Sequence, residues 1–184
     1  MNCVPSILSP YLSVKKSSPL PYMLNKCRES LESLYNIRSA AMERIPAEGI
    51  MVLYYAAVNE SRISEILDIK NSDYIGNNRW YIRSKKGSEP YVGLLEEQEP
   101  GTDKDGQVDP SGRLFTLNYG RLYGWLVRAG WYSRKSGCKN LQRTHGHRTV
   151  TAKIIHTYGG NAAAKPILHH RSIRSTAIYT EKET

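Results

Sequence analysis

The sequence T-H-G-H-R-T at residues 144–149, followed at residues 168–180 by L-H-H-R-S-I-R-S-T-A-I-Y-T, holds most of the chemical information in this chain. In the first segment a histidine and an arginine stand three residues apart, which puts His145 and Arg148 on one face of a helix. In the second segment a histidine stands nine residues before Tyr179. Imidazole, guanidinium and phenol groups together suit chemistry at a phosphate ester, with cations for the oxygens and a nucleophile for the phosphorus.

Two further short motifs, or boxes, lie upstream of these two segments. In S-R-I-S-E-I-L, at residues 61–67, Arg62 opens a helix and Glu65 follows three residues later. In I-R-S-K-K-G, at residues 82–87, Lys85 lies near a turn. The set contains no carboxylate pair for a metal and no serine or cysteine beside a base. It does suit a phosphodiester, because arginine forks bind phosphate oxygens and a lysine can protonate a leaving oxygen.

The order and spacing of these boxes resemble the catalytic domain of the tyrosine recombinase (phage integrase) family, over roughly residues 25–180. The resemblance implies an α+β, mostly helical catalytic domain with a small three-stranded antiparallel sheet. It also implies a set of six catalytic residues, which are Arg62, Lys85, His145, Arg148, His170 and Tyr179.

The resemblance implies a role for each group. Tyr179 would attack the phosphorus to give a 3′-phosphotyrosyl bond, and Lys85 would protonate the departing 5′-oxygen. His145 would act as acid and base or would donate a hydrogen bond to the phosphate, and His170 would hydrogen-bond the phosphate. Glu65 and Lys86 are supporting candidates. Lys86 also competes for the role of general acid, although the register of V-G-L at residues 92–94 favours Lys85.

The chain departs from the family pattern in four places. The chain has N-E-S at residues 59–61 where the family usually has Thr-Gly, His147 in place of Leu, Thr149 in place of His, and His169 in place of Gly. None of these changes removes a catalytic side chain. At residue 169, however, a histidine would have to adopt backbone angles that glycine takes freely.

The sequence predicts an extended arm over residues 1–23 and one catalytic domain over residues 24–184. Thr144 is expected to cap a helix that Gly159-Gly160 ends. The other elements follow from hydrophobic periodicity and turn residues: helices over 24–42, 46–58, from 61 onward, 114–129, 162–168 and 173–180, and strands over 73–75, 79–83 and 91–95.

A basic surplus points to a polyanionic partner. The chain carries 26 Lys and Arg against 17 Asp and Glu, a net charge of +9, and the surplus lies mainly after Gly130. The resemblance implies that this polyanion is double-stranded DNA. The DNA-binding candidates are Lys139, Arg143, Arg171 and Arg174. The acidic segment 96–109 should point away from DNA; the motif D-K-D-G-Q-V-D within it lacks the downstream glutamate of a calcium loop.

No cofactor and no metal are expected. All five histidines fall within 26 residues, which raises the possibility of zinc, but no cysteine or carboxylate nearby completes a ligand set. The three cysteines are far apart and form no C-x-x-C motif, which argues for a reducing compartment. No apolar run is long enough for a membrane span. We expect a location in the cytoplasm or nucleoid, or in the host cytoplasm if the chain is virus-encoded.

These observations predict a site-specific DNA recombinase or integrase, a metal-independent strand transferase. The alternatives are a type IB topoisomerase-like nicking and closing enzyme, and a DNA-binding regulator with a relic recombinase site. Other recombinase subunits assembled on DNA, and an accessory protein, are the further partners to test. Because few residues flank the predicted domain, the chain is expected to be a monomer or a weak dimer off DNA.

Overall fold

The computed structural model describes residues 21–35, 39–85, 89–102, 105–130 and 141–180, with the side chains at 35, 39, 141–151, 153 and 178–180 left out. The fold is α+β and mostly helical, with a three-stranded antiparallel sheet, as the sequence predicts. The helices are α1 Pro21–Tyr35, α2 Ser39–Met42, α3 Ala47–Val58, α4 Ile63–Leu67, α5 Tyr119–Arg128, α6 Leu141–Ile167 and α7 Ile173–Thr180. The strands are β1 Tyr74–Gly76, β2 Arg79–Ile82 and β3 Tyr91–Leu94, with a short 3₁₀ helix, Asn71–Asp73, before β1.

Helix α3 forms the centre of the core. Its sequence is apolar on every face, and all residues from Gly49 to Ala57 are buried, as expected for a helix surrounded by other elements. Helix α1 packs on α3 through Met23, Cys27 and Leu31, which recur every four residues along one face. Helix α1 begins at Pro21, inside the segment predicted to be an arm, and residues 1–20 lie outside the description.

The three strands pair in the order β1-β2-β3, all antiparallel. Each strand lies within one residue of its predicted bounds. Trp80 and Ile82 of β2 are fully buried, whereas the intervening Tyr81 faces outward. Gly93 of β3 lies so close to the core that a Cβ there would stand 2.3 Å from Ile82 Cδ1 and 3.0 Å from Asn59 Oδ1. The sheet therefore packs on the end of α3 at a point where a side chain does not fit.

The chain turns sharply at the end of α3. The Ser61 N–H donates to Ala56 O at 2.9 Å and the Glu60 N–H to Ala57 O at 3.3 Å, the hydrogen-bond pattern of a Schellman motif. The residue in the left-handed position of this motif is Glu60, with φ 50°. The turn satisfies the last carbonyls of α3 and leads directly into α4.

Two predicted helix starts are wrong. Helix α5 begins at Tyr119 rather than at residue 114, because the Asn118 side chain accepts the Arg121 N–H at 2.9 Å and caps it. Helix α6 begins at Leu141, so Thr144 lies inside the helix and does not cap it. His145 is therefore beyond the first turn, and the free N–H groups of that turn do not adjoin it.

The C-terminal half of α6 follows the predicted pattern more closely than its start does. Gly160, with φ 66° and ψ −168°, interrupts the helical backbone and separates two helical segments, at the position where Gly159-Gly160 predict a break. The second segment ends in another Schellman motif: the His170 N–H donates to Lys165 O at 3.1 Å and the His169 N–H to Pro166 O at 3.0 Å. His169 takes the left-handed conformation, with φ 53°.

The buried cysteine of α1 has low reactivity. Cys27 is fully buried, and burial raises the pKa of its thiol to about 12, so the reactive thiolate is scarce at neutral pH. The other two cysteines lie outside the described residues. Among the helices within the described ranges, none combines the length and the apolar composition needed to cross a bilayer.

The contact of Gly93 predicts a specific loss of stability. Gly93→Ala should lower the free energy of unfolding by about 1–3 kcal/mol, because the added methyl group overpacks a buried site. Gly120→Ala is the matched control, since its Cβ would meet only Asn118 Oδ1, at 3.5 Å. Urea denaturation of both variants would measure the difference. Equal effects of the two substitutions would contradict the close packing of Ile82 and Asn59 around Gly93.

Candidate active site

Arg62 and Lys85, two of the predicted catalytic residues, meet at a buried carboxylate in the first turn of α4. Glu65 is only 2% exposed. Its Oε2 accepts the backbone N–H of Arg62 at 2.9 Å, and its Oε1 accepts Nη1 of the Arg62 guanidinium at 2.6 Å. The same side chain therefore caps α4 and holds the arginine that precedes it.

Glu65 also binds the segment that follows β2. Its Oε1 accepts the backbone N–H of Lys85 at 3.0 Å and the hydroxyl of Ser84 at 3.4 Å. On the other side, the hydroxyl of Tyr91 in β3 lies 3.3 Å from Oε2. One carboxylate thus joins the first arginine of the predicted set to the backbone of the predicted lysine.

The surroundings of Glu65 favour its charged form. Burial by itself raises the pKa of the Glu65 carboxyl, but the N–H groups of Arg62 and Lys85 and the Arg62 guanidinium outweigh it and hold the pKa below its ordinary value. The carboxylate is therefore ionised at neutral pH and can hold the arginine in one orientation.

The Arg62 side chain is 18% exposed, so most of it lies within the protein. Within the part of the chain that the structure describes, its hydrogen bonding runs through Nη1 to Glu65. The planar fork has further N–H groups that can bind an anion.

The Lys85 ammonium points to a different carboxylate. Its Nζ lies 2.5 Å from Oδ2 of Asp68, the residue that ends α4, and both side chains are nearly half exposed. Arg113 approaches the other oxygen of Asp68 at 4.0 Å. An exposed pair of this kind contributes little stability, so the ammonium can exchange Asp68 for another anion at small cost.

His170 occupies a buried position at the turn between α6 and α7. It is 6% exposed, and its Nδ1 lies 3.3 Å from the hydroxyl of Thr176, which is fully buried in α7. Tyr179 follows Thr176 by three residues in the same helix. Residues three apart share a helical face. The contact between His170 and Thr176 therefore also constrains the orientation of the face of α7 on which residue 179 lies.

Asn59, Tyr91 and His169, which the sequence does not indicate as site residues, connect the turn before α7 with the surroundings of Glu65. The ring of His169 stacks on Tyr91 with 3.4 Å between centroids and 3° between planes, and its Nε2–H donates to Asn59 O at 3.2 Å. The Asn59 side-chain amide pairs with the backbone N–H and C=O of Leu94. A helix-ending asparagine and a tyrosine in a strand are common, so neither carries a sequence signal of its role.

The remaining predicted site residues are located only in part. His145 and Arg148 belong to α6 and Tyr179 to α7, but their side chains lie outside the description. The same holds for the side chain of Arg143, and for Lys86 and Lys139 entirely. Arg171 and Arg174 are exposed, as a contact with DNA requires. The roles of all these residues stay predictions. Among the described residues, no group of three or more His, Cys, Asp or Glu could hold a metal ion.

No protein-family model and no curated protein matches the chain. The chain is similar to solved structures of tyrosine recombinases. Two crystal structures of a lambda integrase dimer bound to a COC′ core site share 16% identity with it, at TM-scores of 0.47 and 0.48. A crystal structure of XerA recombinase shares 19% identity, at a TM-score of 0.43.

These alignments cover 84%, 83% and 97% of this chain, but 58%, 46% and 62% of the lambda integrase and XerA chains. The chain therefore spans about half to three-fifths of the length of the tyrosine recombinases it resembles. Identities below 20% describe a likeness of fold, and activity has to be inferred from the chain's own residues.

The contacts of Glu65 predict a charge-dependent contribution to stability. Glu65→Gln should lower the free energy of unfolding at pH 7 by about 1–3 kcal/mol, because an amide cannot satisfy all the buried donors. Glu43→Gln, at an exposed position, should change it by less than about 0.5 kcal/mol. Urea denaturation of both variants measures the two effects.

The pH dependence gives a second check of Glu65. Its pKa is lower in the folded chain than in the unfolded chain, where it is about 4.3. Its stabilising contribution is therefore complete above that value and is lost as the pH falls through the folded pKa. The difference between wild type and Glu65→Gln should shrink below about pH 4. A difference that stays constant down to pH 3 would contradict a stabilised carboxylate.

Proposed function

We propose that residues 24–184 form the catalytic domain of a site-specific DNA recombinase or integrase, which cleaves and rejoins DNA through a covalent 3′-phosphotyrosyl intermediate. The observation that carries the proposal is the shared carboxylate, since Glu65 holds the Arg62 guanidinium and the Lys85 backbone together. These two residues are distant in sequence and belong to separate predicted boxes. Their juxtaposition is what a phosphate-binding site built from those boxes requires.

The first step of the proposed reaction is attack on phosphorus. The Tyr179 oxygen forms the new bond, the bond to the 5′-oxygen breaks with its electron pair, and Lys85 donates a proton to that oxygen. The phenol proton passes to His145. Arg62 and Arg148 stabilise the extra negative charge on the non-bridging oxygens, in the role that metal ions serve elsewhere.

The second step reverses the first. A 5′-hydroxyl from another strand attacks the phosphotyrosine, the tyrosine oxygen leaves and regains a proton, and a DNA phosphodiester forms again. Because the phosphotyrosyl ester retains the bond energy, rejoining needs no ATP. His170 donates a hydrogen bond to the phosphate during both steps. Its burial beside Thr176 supports this role, because a fixed ring can direct its second nitrogen at a single point.

DNA is the proposed partner, with further subunits of the same chain joining on it. The exposed Arg171 and Arg174 flank the start of α7, the helix that carries the proposed nucleophile, where they can contact phosphates. A binding surface of this type responds strongly to salt, because each neutralised phosphate releases counterions. Lys139 and Arg143 are proposed to contribute to the same surface.

The tyrosine mechanism predicts a clean separation of binding from chemistry. Tyr179→Phe removes one oxygen, so it should bind candidate DNA with unchanged affinity and form no covalent adduct on a denaturing gel. Tyr158→Phe is the matched control, because Tyr158 is 88% exposed on α6, and it should form adducts at the wild-type rate. Adduct formation should persist in EDTA. An adduct with the Tyr179→Phe variant, or complete inhibition by the chelator, would refute the mechanism.

The proposed acid predicts a rescue experiment. Lys85→Ala should be slowed by about 10²–10⁴-fold on ordinary DNA, which is the usual contribution of general acid catalysis. Most of the rate should return when the 5′-bridging oxygen is replaced by sulfur, because a thiolate leaves without a proton. Single-turnover cleavage of the two substrates measures the effect. Rescue of Lys86→Ala instead would assign the acid to the neighbouring lysine.

A further inference from the structure

The turn between α6 and α7 holds a histidine in a conformation that side chains disfavour. His169 occupies the left-handed position of the Schellman motif, with φ 53°. A Cβ is strained there, and glycine is the residue that adopts such angles freely. The contacts of the His169 side chain must therefore offset the strain of its backbone.

Those contacts reach across to the other half of the candidate site. The His169 ring lies flat on Tyr91 of β3, and its Nε2–H donates to Asn59 O at the end of α3. Asn59 lies in the turn that leads from α3 to Arg62, and the hydroxyl of Tyr91 lies 3.3 Å from Oε2 of Glu65. His169 is thus covalently joined to His170, and its side chain contacts the residues around Arg62 and Glu65.

Three hydrogen bonds and the stack of His169 on Tyr91 together form a closed ring. The Tyr91 hydroxyl donates to the Ser61 hydroxyl at 2.6 Å, and the Ser61 hydroxyl donates to Asn59 O at 3.3 Å. Asn59 O therefore accepts from both Ser61 and His169, which uses its two lone pairs. A closed ring of this kind fixes the orientation of each member more firmly than a single contact does.

We propose that His169 is a positioning residue, which sets His170 and helix α7 against the Arg62–Glu65 half of the site through its stack on Tyr91. The catalytic part of this inference rests on the proposed function, whereas the mechanical part does not. The residue touches no reacting group itself. It acts through His170, the next residue, and through α7, which Thr176 ties to His170.

The kinetic test separates positioning from binding. His169→Gly removes the ring and relieves the backbone strain, and Tyr91→Leu removes the partner ring. Each should slow single-turnover adduct formation by about tenfold or more, because small displacements of reacting groups reduce rates strongly. Each should change the Kd for DNA by less than about threefold, since the partly buried His169 is proposed to set the geometry of the site and not to contact DNA.

The double variant and a conservative variant sharpen the test. His169→Gly combined with Tyr91→Leu should lose less rate than the product of the two single losses, because both remove the same ring stack, while Tyr91→Leu also removes the hydroxyl contacts with Ser61 and Glu65. His169→Phe keeps a ring to stack on Tyr91 and should recover most of the rate that His169→Gly loses. Multiplicative losses in the double variant, or wild-type rates in His169→Gly, would overturn the proposal.

A measurement without DNA keeps the inference separate from the proposed activity. In NMR spectra of the full chain, Tyr91→Leu should shift the ring resonances of His170, although Tyr91 is proposed to act on it only through His169. Unmoved His170 resonances would overturn the proposal whether or not the chain forms adducts. If the wild-type chain forms no adduct while these resonances move, the recombinase function fails and the mechanical coupling stands.

Discussion

A negative charge buried in the first turn of α4 constrains the arrangement of everything around it. An isolated buried carboxylate is strongly unfavourable, so Glu65 must be surrounded by donors. Those donors come from separate parts of the chain: the backbone and guanidinium of Arg62, the backbone of Lys85 and the hydroxyl of Ser84, with the Tyr91 hydroxyl of β3 in contact at 3.3 Å. The segment after β2 and the strand β3 must therefore close on α4, and the candidate site is the place where they meet.

The two cations next to this carboxylate are held in contrasting ways. Arg62 is paired with a buried partner, so its position is determined by the core and changes little with the solvent. The Lys85 ammonium is paired with Asp68 at the surface, where water screens the attraction. A fixed arginine and an exchangeable lysine suit a site in which one group orients a phosphate and the other has to deliver a proton during the reaction.

Two helix ends bring the halves of the site together. Helices α3 and α6 both end in Schellman motifs, and both place a residue other than glycine, Glu60 and His169, at the left-handed position. The hydrogen bonds of the motif satisfy the final carbonyls of each helix. The strain at His169 is matched by its stack on Tyr91 and its bond to Asn59, so the local geometry of one turn depends on contacts with the other.

The sequence by itself determined most of the helices and strands and the order of the candidate catalytic residues along the chain. The apolar run of α3, the core face of Ile63, Ile66 and Leu67 in α4, the three strands and the break at Gly160 follow from periodicity and turn residues, which reflect interactions between near neighbours. The predicted start of α6 is wrong, because a threonine such as Thr144 is acceptable both as a cap and within a helix. Only the tertiary structure decided that Glu65 is the common partner of Arg62 and Lys85, and that His169 meets Tyr91. Such pairs are brought together by closure of the chain around the core, and no local pattern in the sequence records them.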